Sequence, residues 1–165
     1  MQAFLQRYLR AAHVATTVEY HYLEAFSRYI LELSLLDYGM LRYRSSMVAA
    51  AAVLLARTLL AHQPSDSDSP STPLRSHVVW THTMEHYTGN SAKDLEECVK
   101  HLHHTLLNVN GTVGKPKRTF VCHKYSQTKW GSVAAMNVMP VLPSSMFERF
   151  TVFPVPAHHL AHVPV

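Results

Sequence analysis

Glycine is scarce in this chain, with five in 165 residues, and that scarcity excludes a barrel or sandwich built on many tight turns. Cysteine is scarcer still. Cys98 and Cys122 are the whole complement, neither belongs to a CxxC pair, and two thiols do not make a disulfide framework. Reduced, buried thiols in an intracellular protein are expected. Long apolar runs are also missing. The most apolar stretch, Met47 to Ala56, is cut by Arg57 and falls well short of the roughly 20 residues a membrane span needs. It reads as a buried helix, and no membrane partner is expected. Met1 to Arg7 holds no run long enough for a signal-peptide core.

The signatures of catalysis are absent too. There is no glycine-rich phosphate loop, GxSxG elbow or HExxH. Cys122 and His123 are adjacent, so on a helix their side chains diverge and the histidine cannot serve the thiol as base. Glu19, Glu24, Glu32 and Asp37 are accounted for by capping, surface pairing and helix ending. The chain is not expected to be an enzyme, to hold a cofactor or to take a small-molecule substrate.

Hydrophobic residues make up 47%, enough to build one sizeable core. The formal charge is +4 with thirteen histidines counted as neutral. Lys115, Lys117, Arg118, Lys124 and Lys129 are its main concentration. That is a solvated surface rather than the long basic stripe of a nucleic-acid binder, so nucleic acid is not an expected partner. His101, His103 and His104, with His158, His159 and His162, invite a metal hypothesis. Zinc needs three or four ligands converging on one point; His103 points away from the face shared by His101 and His104. They read as solvated surface histidines, and no metal is expected.

Helical periodicity dominates the rest. Phe4, Leu5, Tyr8, Leu9 and Ala12 mark a short amphipathic helix within Met1 to Ala15. Thr16-Thr17-Val18-Glu19 has the form of a capping box. Tyr22, Phe26, Tyr29, Ile30, Leu33 and Leu36 then recur at helical intervals. Glu24 and Arg28 pair one turn apart on the other face. Asp37-Tyr38-Gly39 is expected to end this helix, with Gly39 in the left-handed conformation. Ser45 or Ser46 is the expected cap of a helix over Met47–Ala61, whose run Ala49 to Ala52 is small on every side. A helix with no polar face is normally enclosed by others, so this one should be the centre of a bundle.

Residues 63–76, rich in proline, serine and aspartate, read as a flexible insertion; Ser69-Pro70 and Thr72-Pro73 within it are read as turn formers. A short helical piece runs from Val78 to Tyr87. Ser91-Ala92-Lys93-Asp94 opens another helix, carried by Leu95, Cys98, Val99, Leu102 and Leu106 to about Asn108. Arg118 to Tyr125 is a last short helix, and the chain beyond Trp130 is expected to be irregular. Lys115-Pro116-Lys117-Arg118 has the look of a nuclear-import patch, at a length that arises by chance. The expected organisation is an all-α helical domain over 1–135 and an irregular tail over 136–165.

The order of certain residues resembles the cyclin family, in particular the C-terminal cyclin box of mitotic A- and B-type cyclins. Tyr29 to Tyr38 is similar to the "YxxELSLLDY" core of that box's second helix, with Glu32, Leu33, Leu36 and Asp37 at matching positions. Ala49, Ala50 and Ala52 match its alanine-rich third helix. Trp80 with Tyr87-Thr88-Gly89 and Asp94-Leu95 looks like the "YTGYS…DL" stretch. Lys124-Tyr125-Ser126, then Lys129 and Val133-Ala134, is similar to the closing "KYS…K…VA". The resemblance implies a five-helix bundle around Met47–Ala61. It also implies a regulatory and binding role as part of the regulatory subunit of a cyclin-dependent protein kinase, in nucleus or cytoplasm. The sequence departs from the family where Arg44-Ser45-Ser46 replaces a proline, in the 63–76 insertion, and in the tail. It also lacks the N-terminal box that carries the family's kinase contacts, so no partner-binding residue can be assigned. A cyclin-fold scaffold for nucleic acid or transcription machinery is the alternative.

Overall fold

The computed structural model describes residues 1–12, 17–62, 80–110 and 119–148. Six α-helices occur among them: α1 (Gln2–Ala11), α2 (Thr17–Ser34), α3 (Ser45–Ala61), α4 (His82–Thr88), α5 (Glu96–Asn110) and α6 (Phe120–Tyr125). Short 3-10 turns at Tyr38–Arg42, Thr128–Trp130, Val133–Ala135 and Ser144–Phe147 join or follow them, and no strand occurs among the described residues. The 63–76 insertion, Thr16, Val78 and Val79, the Lys115–Arg118 patch and the tail beyond 148 lie outside the described residues.

The architecture follows from α3. Every residue from Val48 to Ala56 is 0% exposed, and α1, α2, α4 and α5 all pack against this helix. Alanine has the highest helix propensity and adds no bulk beyond Cβ, so neighbouring backbones can approach from several directions at once. The chain is therefore an all-α bundle around a central alanine-rich helix, as expected. Beyond Leu54, Leu55 and Leu59 of α3 itself, the large side chains of the core come from the surrounding helices: Leu5 and Leu9 of α1, Phe26, Tyr29, Ile30 and Leu33 of α2, and Leu102 and Leu106 of α5 are all buried. Arg57, the one charged residue of α3, donates from Nη1 to the Ala12 carbonyl at 3.2 Å, where the end of α1 presents free carbonyls to a cation.

The ends of the helices depart from expectation in instructive ways. Neither Ser45 nor Ser46 caps α3. Arg44, extended, is the cap residue and contributes no side-chain bond; the serines lie inside the first turn, too late to cap it. Helix α2 stops at Ser34, whose hydroxyl turns back to the Leu31 carbonyl at 2.7 Å. The next backbone bonds tighten to a three-residue spacing, Leu35 to Glu32, Leu36 to Leu33 and Asp37 to Ser34. Tightening breaks the 3.6-residue register, and Leu36, which the period places inward, is 59% exposed. Gly39 is not left-handed: Gly89 and Gly131 are the positive-φ glycines among the described residues. A Cβ at Gly39 would instead stand 2.7 Å from His101 Cε1. The glycine makes room for a ring.

Between α1 and α2 the expected Glu24–Arg28 pair forms at 2.7 Å, and Gln6 joins it at 3.0 Å. Burial acts to raise the Glu24 carboxyl, but the bonds from Gln6 and Arg28 outweigh it and hold the group below its ordinary value. Residues 136–148 contain only one 3-10 turn, yet they lie against the bundle. Val138, Met146 and Phe147 are buried, and His103 of α5 bonds to the Met139 carbonyl at 2.8 Å.

Two substitutions test this packing by urea denaturation. Ala51→Leu should destabilise the fold by about 1–3 kcal/mol, because nothing around α3 can yield; an unchanged midpoint would show that α3 is not enclosed. The Ser27 hydroxyl is fully buried with no hydrogen-bond partner among the described residues. Ser27→Ala should therefore be neutral or stabilising by about 1 kcal/mol, and a clear loss would reveal a missing bond.

Candidate functional site

Polar side chains converge at three places, two of them joining residues far apart in sequence. At the first, the Glu32 carboxylate on α2 accepts from Lys124 Nζ at 2.7 and 3.0 Å and from the Tyr125 hydroxyl at 2.8 Å. The Lys124 ammonium lies 4.9 Å from the Tyr125 ring centroid and 5.5 Å from that of Trp130, an arrangement that favours a cation over π-faces. Tyr125 is fully buried between Tyr29 at 5.3 Å and Trp130 at 5.1 Å. The Tyr29 hydroxyl reaches Asn110 Oδ1 at 3.3 Å and the Cys122 thiol at 3.4 Å. Burial is the main cause holding both phenols well above their ordinary range; Tyr29 is raised further by its bond to Cys122 and Tyr125 by its bond to Glu32. They stay protonated as donors.

The second meeting is at Asp37. Its carboxylate accepts from the Gly39 amide at 2.9 Å, the Thr105 hydroxyl at 2.8 Å and His101 Nε2 at 3.0 Å. One turn further, Arg42 pairs with Glu97 and stacks on the Tyr43 ring at 4.8 Å. These bonds fasten the α2–α3 connection onto α5. Burial acts to raise the Asp37 carboxyl; the bonds from Thr105 and Gly39 and the nearby His101 outweigh it and leave the group below its ordinary value.

The third is the link from α4 to α5. Trp80 Nε1 donates to the Asn90 carbonyl at 3.1 Å. Thr88 closes back onto Met84 at 2.8 Å and exchanges bonds with Asn90, while Gly89 takes the left-handed cap conformation. Ser91 and Asp94 form the expected reciprocal box, although α5 proper opens only at Glu96.

Most of the residues singled out by the sequence are thus placed. Glu32, Lys124 and Tyr125 come together; Asp37, Trp80, Thr88 and Gly89 each hold a turn; Leu33, Ala49, Ala50 and Ala52 are core. Ser126 bonds to the Cys122 carbonyl at 2.6 Å. Tyr87 is half-exposed, with Arg7 5.9 Å above its ring. Leu36 stands apart from them in solvent. The histidines of α5 need correction: only His104 is the solvated residue expected. His101 is tied to Asp37, and His103 is buried because its ring fills the seam against the 136–148 segment. No metal-holding cluster occurs among the described residues. The basic cluster is divided as well, with Lys124 committed to Glu32 and Lys129 lying 5.9 Å from the Trp130 ring. Of the two thiols, Cys98 is buried and pushed up to about 12, chiefly by that burial, and Cys122 is half-buried. No helix among the described residues is long and apolar enough to cross a membrane.

One surface had no forewarning. Leu35, Leu36, Tyr38 and Leu41, within seven residues, are 66%, 59%, 88% and 72% exposed, while Met40 between them is buried. The only hint in the sequence is that Leu35 and Tyr38 fall outside the helical period.

A bundle closed around an alanine-lined helix, with its turns pinned by Glu32, Asp37 and Thr88, defines a helical scaffold of the cyclin-box kind. The family described as "Cyclin, C-terminal domain" matches residues 2–139, and the chain belongs to that family. It is similar to Cyclin-A1-1 of Arabidopsis thaliana, 36% identical across 90% of this chain and 28% of the relative. Cyclin-A1-2 of the same plant is 39% identical across 88% of this chain and 29% of its own length. Cyclin-A2-1 of Oryza sativa subsp. japonica is 36% identical across 89% and 26%. The chain spans about a quarter to a third of the length of these relatives.

Two variants probe the Asp37 turn. Gly39→Ala should destabilise by about 1–3 kcal/mol, since the new methyl must displace the His101 ring; wild-type stability would contradict the close approach. The lowered Asp37 carboxyl contributes stability above the ordinary value of 3.8 and loses it as pH falls through the lower folded value. Unfolding midpoints of wild type and Asp37→Asn should therefore differ most near neutrality and converge in acid. A constant gap would refute the assignment.

Proposed function

We propose that this chain acts as the carboxy-terminal part of a cyclin, a regulatory and binding module of cell-cycle control whose partner is a cyclin-dependent protein kinase. It is not itself an enzyme in this reading, and works in nucleus or cytoplasm. The observation that carries the proposal is the family match over 2–139, joined by A-type cyclin relatives that align along about nine-tenths of the chain. The side-chain constellations support it: the polar groups that converge are spent on one another and on pinning turns. The domain role falls to residues 1–135, and 136–165 form an appended tail whose first part lies on α5.

The mechanism is a shift of populations. A regulatory subunit that binds better to the kinase conformation with its active-site elements assembled raises the share of that conformation by its difference in affinity. The rigidity of the bundle matters here, because a scaffold that deformed on contact would spend that difference on itself. The bundle's contribution is to hold a fixed surface.

The test is retention of purified cyclin-dependent kinases on the immobilised full-length chain, with phosphorylation of a serine-proline peptide measured in parallel. Specific retention of a kinase is expected. If none is retained and phosphorylation does not rise, this polypeptide is not a kinase partner by itself, and the proposal fails.

A further inference from the structure

We propose that the α2–α3 connection is a docking knuckle for an acidic amphipathic segment of a partner protein. Leu35, Leu36, Tyr38 and Leu41 stand in solvent, although the connection that carries them is among the most firmly held in the molecule. Asp37 binds Gly39, Thr105 and His101; Arg42 binds Glu97 and Tyr43; buried Met40 plugs the turn from below. Tyr38 and Leu41, three apart on a 3-10 turn, share its outer edge. A loose loop would fold such side chains inward. This one presents them on a rigid support, the condition under which apolar contacts are not spent on ordering the surface.

Size and charge select the occupant. The four side chains expose apolar surface on the order of a few hundred Å², the size of the largest patch on a typical monomer, which is often functional. A stable dimer needs about 800 Å² from each partner, so a second copy of this chain is a poor fit and a short segment is a good one. The carboxylates at the knuckle are engaged, Asp37 by its three donors and Glu97 by Arg42. Arg44 is exposed and enters no ion pair among the described residues. Of the charged groups described at the knuckle, Arg44 is therefore the one whose donors are left free, and an occupant with carboxylates flanking apolar anchors complements it. An amphipathic helix offers such anchors at spacings of three and four.

The experiment uses the intact chain and a fluorescein-labelled helical peptide of about four turns, with leucines on one face and glutamates elsewhere. Its counterpart has lysines in place of the glutamates. Fluorescence anisotropy should show the glutamate peptide binding about tenfold tighter than the lysine peptide at low salt, a gap that narrows as salt is added. The double substitution Leu36→Asp with Leu41→Asp should weaken binding by about tenfold or more, and Arg44→Glu should narrow the preference for the glutamate peptide. Val18→Asp serves as the control, being exposed at the opposite end of α2, on the order of 25 Å away. All the substituted side chains are at the surface, and circular dichroism verifies that each variant folds. Equal affinity for the two peptides, or binding that survives the double substitution, overturns the proposal. A concentration-dependent dimer abolished by that substitution would give the surface to a second copy and overturn it equally.

Discussion

Close approach to α3 is the constraint on which the rest of the structure depends. Along Ala49 to Ala52 the helix offers little side-chain volume and no polar group, so whatever surrounds it there must come near to avoid leaving a void. Voids cost dispersion contacts that nothing replaces. Helices α1, α2 and α5 supply the bulk that α3 lacks, through leucines, phenylalanine and tyrosine. The arrangement tolerates neither a larger residue on α3 nor a smaller one opposite, and it makes the bundle rigid before any polar contact is counted.

Polar contacts then decide how the ends of the helices are held. Glu32 meets Lys124 and Tyr125 across more than ninety residues of chain, and the ring series Tyr29, Tyr125, Trp130 covers the meeting point. Desolvating such groups is costly unless every member finds a partner. Here the carboxylate oxygen, the ammonium and the phenol satisfy one another, with part of the pair still reached by water. The same logic holds at Asp37, where one carboxylate collects three donors, one from its own turn and two from α5. These knots explain why an order of polar residues that spans most of the sequence can mark a family: each residue is one half of a contact whose other half lies far away.

The α2–α3 connection shows the price of that fastening. With Asp37 held against α5 the chain takes a three-residue spacing after Ser34, and the rotation carries Leu36 off the buried face to join Leu35 in solvent. A rigid scaffold with a fixed apolar projection suits the regulatory and binding role proposed above.

Much of this was legible in the chain of residues alone. Local periodicity predicts α1, α2, α3 and α5, and the lack of any polar face on Met47–Ala61 places that helix at the centre, because a helix cannot leave such a surface in water. Capping chemistry at Ser91–Asp94 and the Glu24–Arg28 pair were equally local, set within four residues. What only the tertiary structure decided are the contacts whose partners lie far apart: Gly39 making room for His101 rather than turning left-handed, His103 closing on Met139, Glu32 joining Lys124, and Leu36 facing solvent. Periodicity reports what a helix would do by itself. Where two distant elements compete for the same few ångströms, the outcome depends on the neighbour, and no spacing within one segment records it.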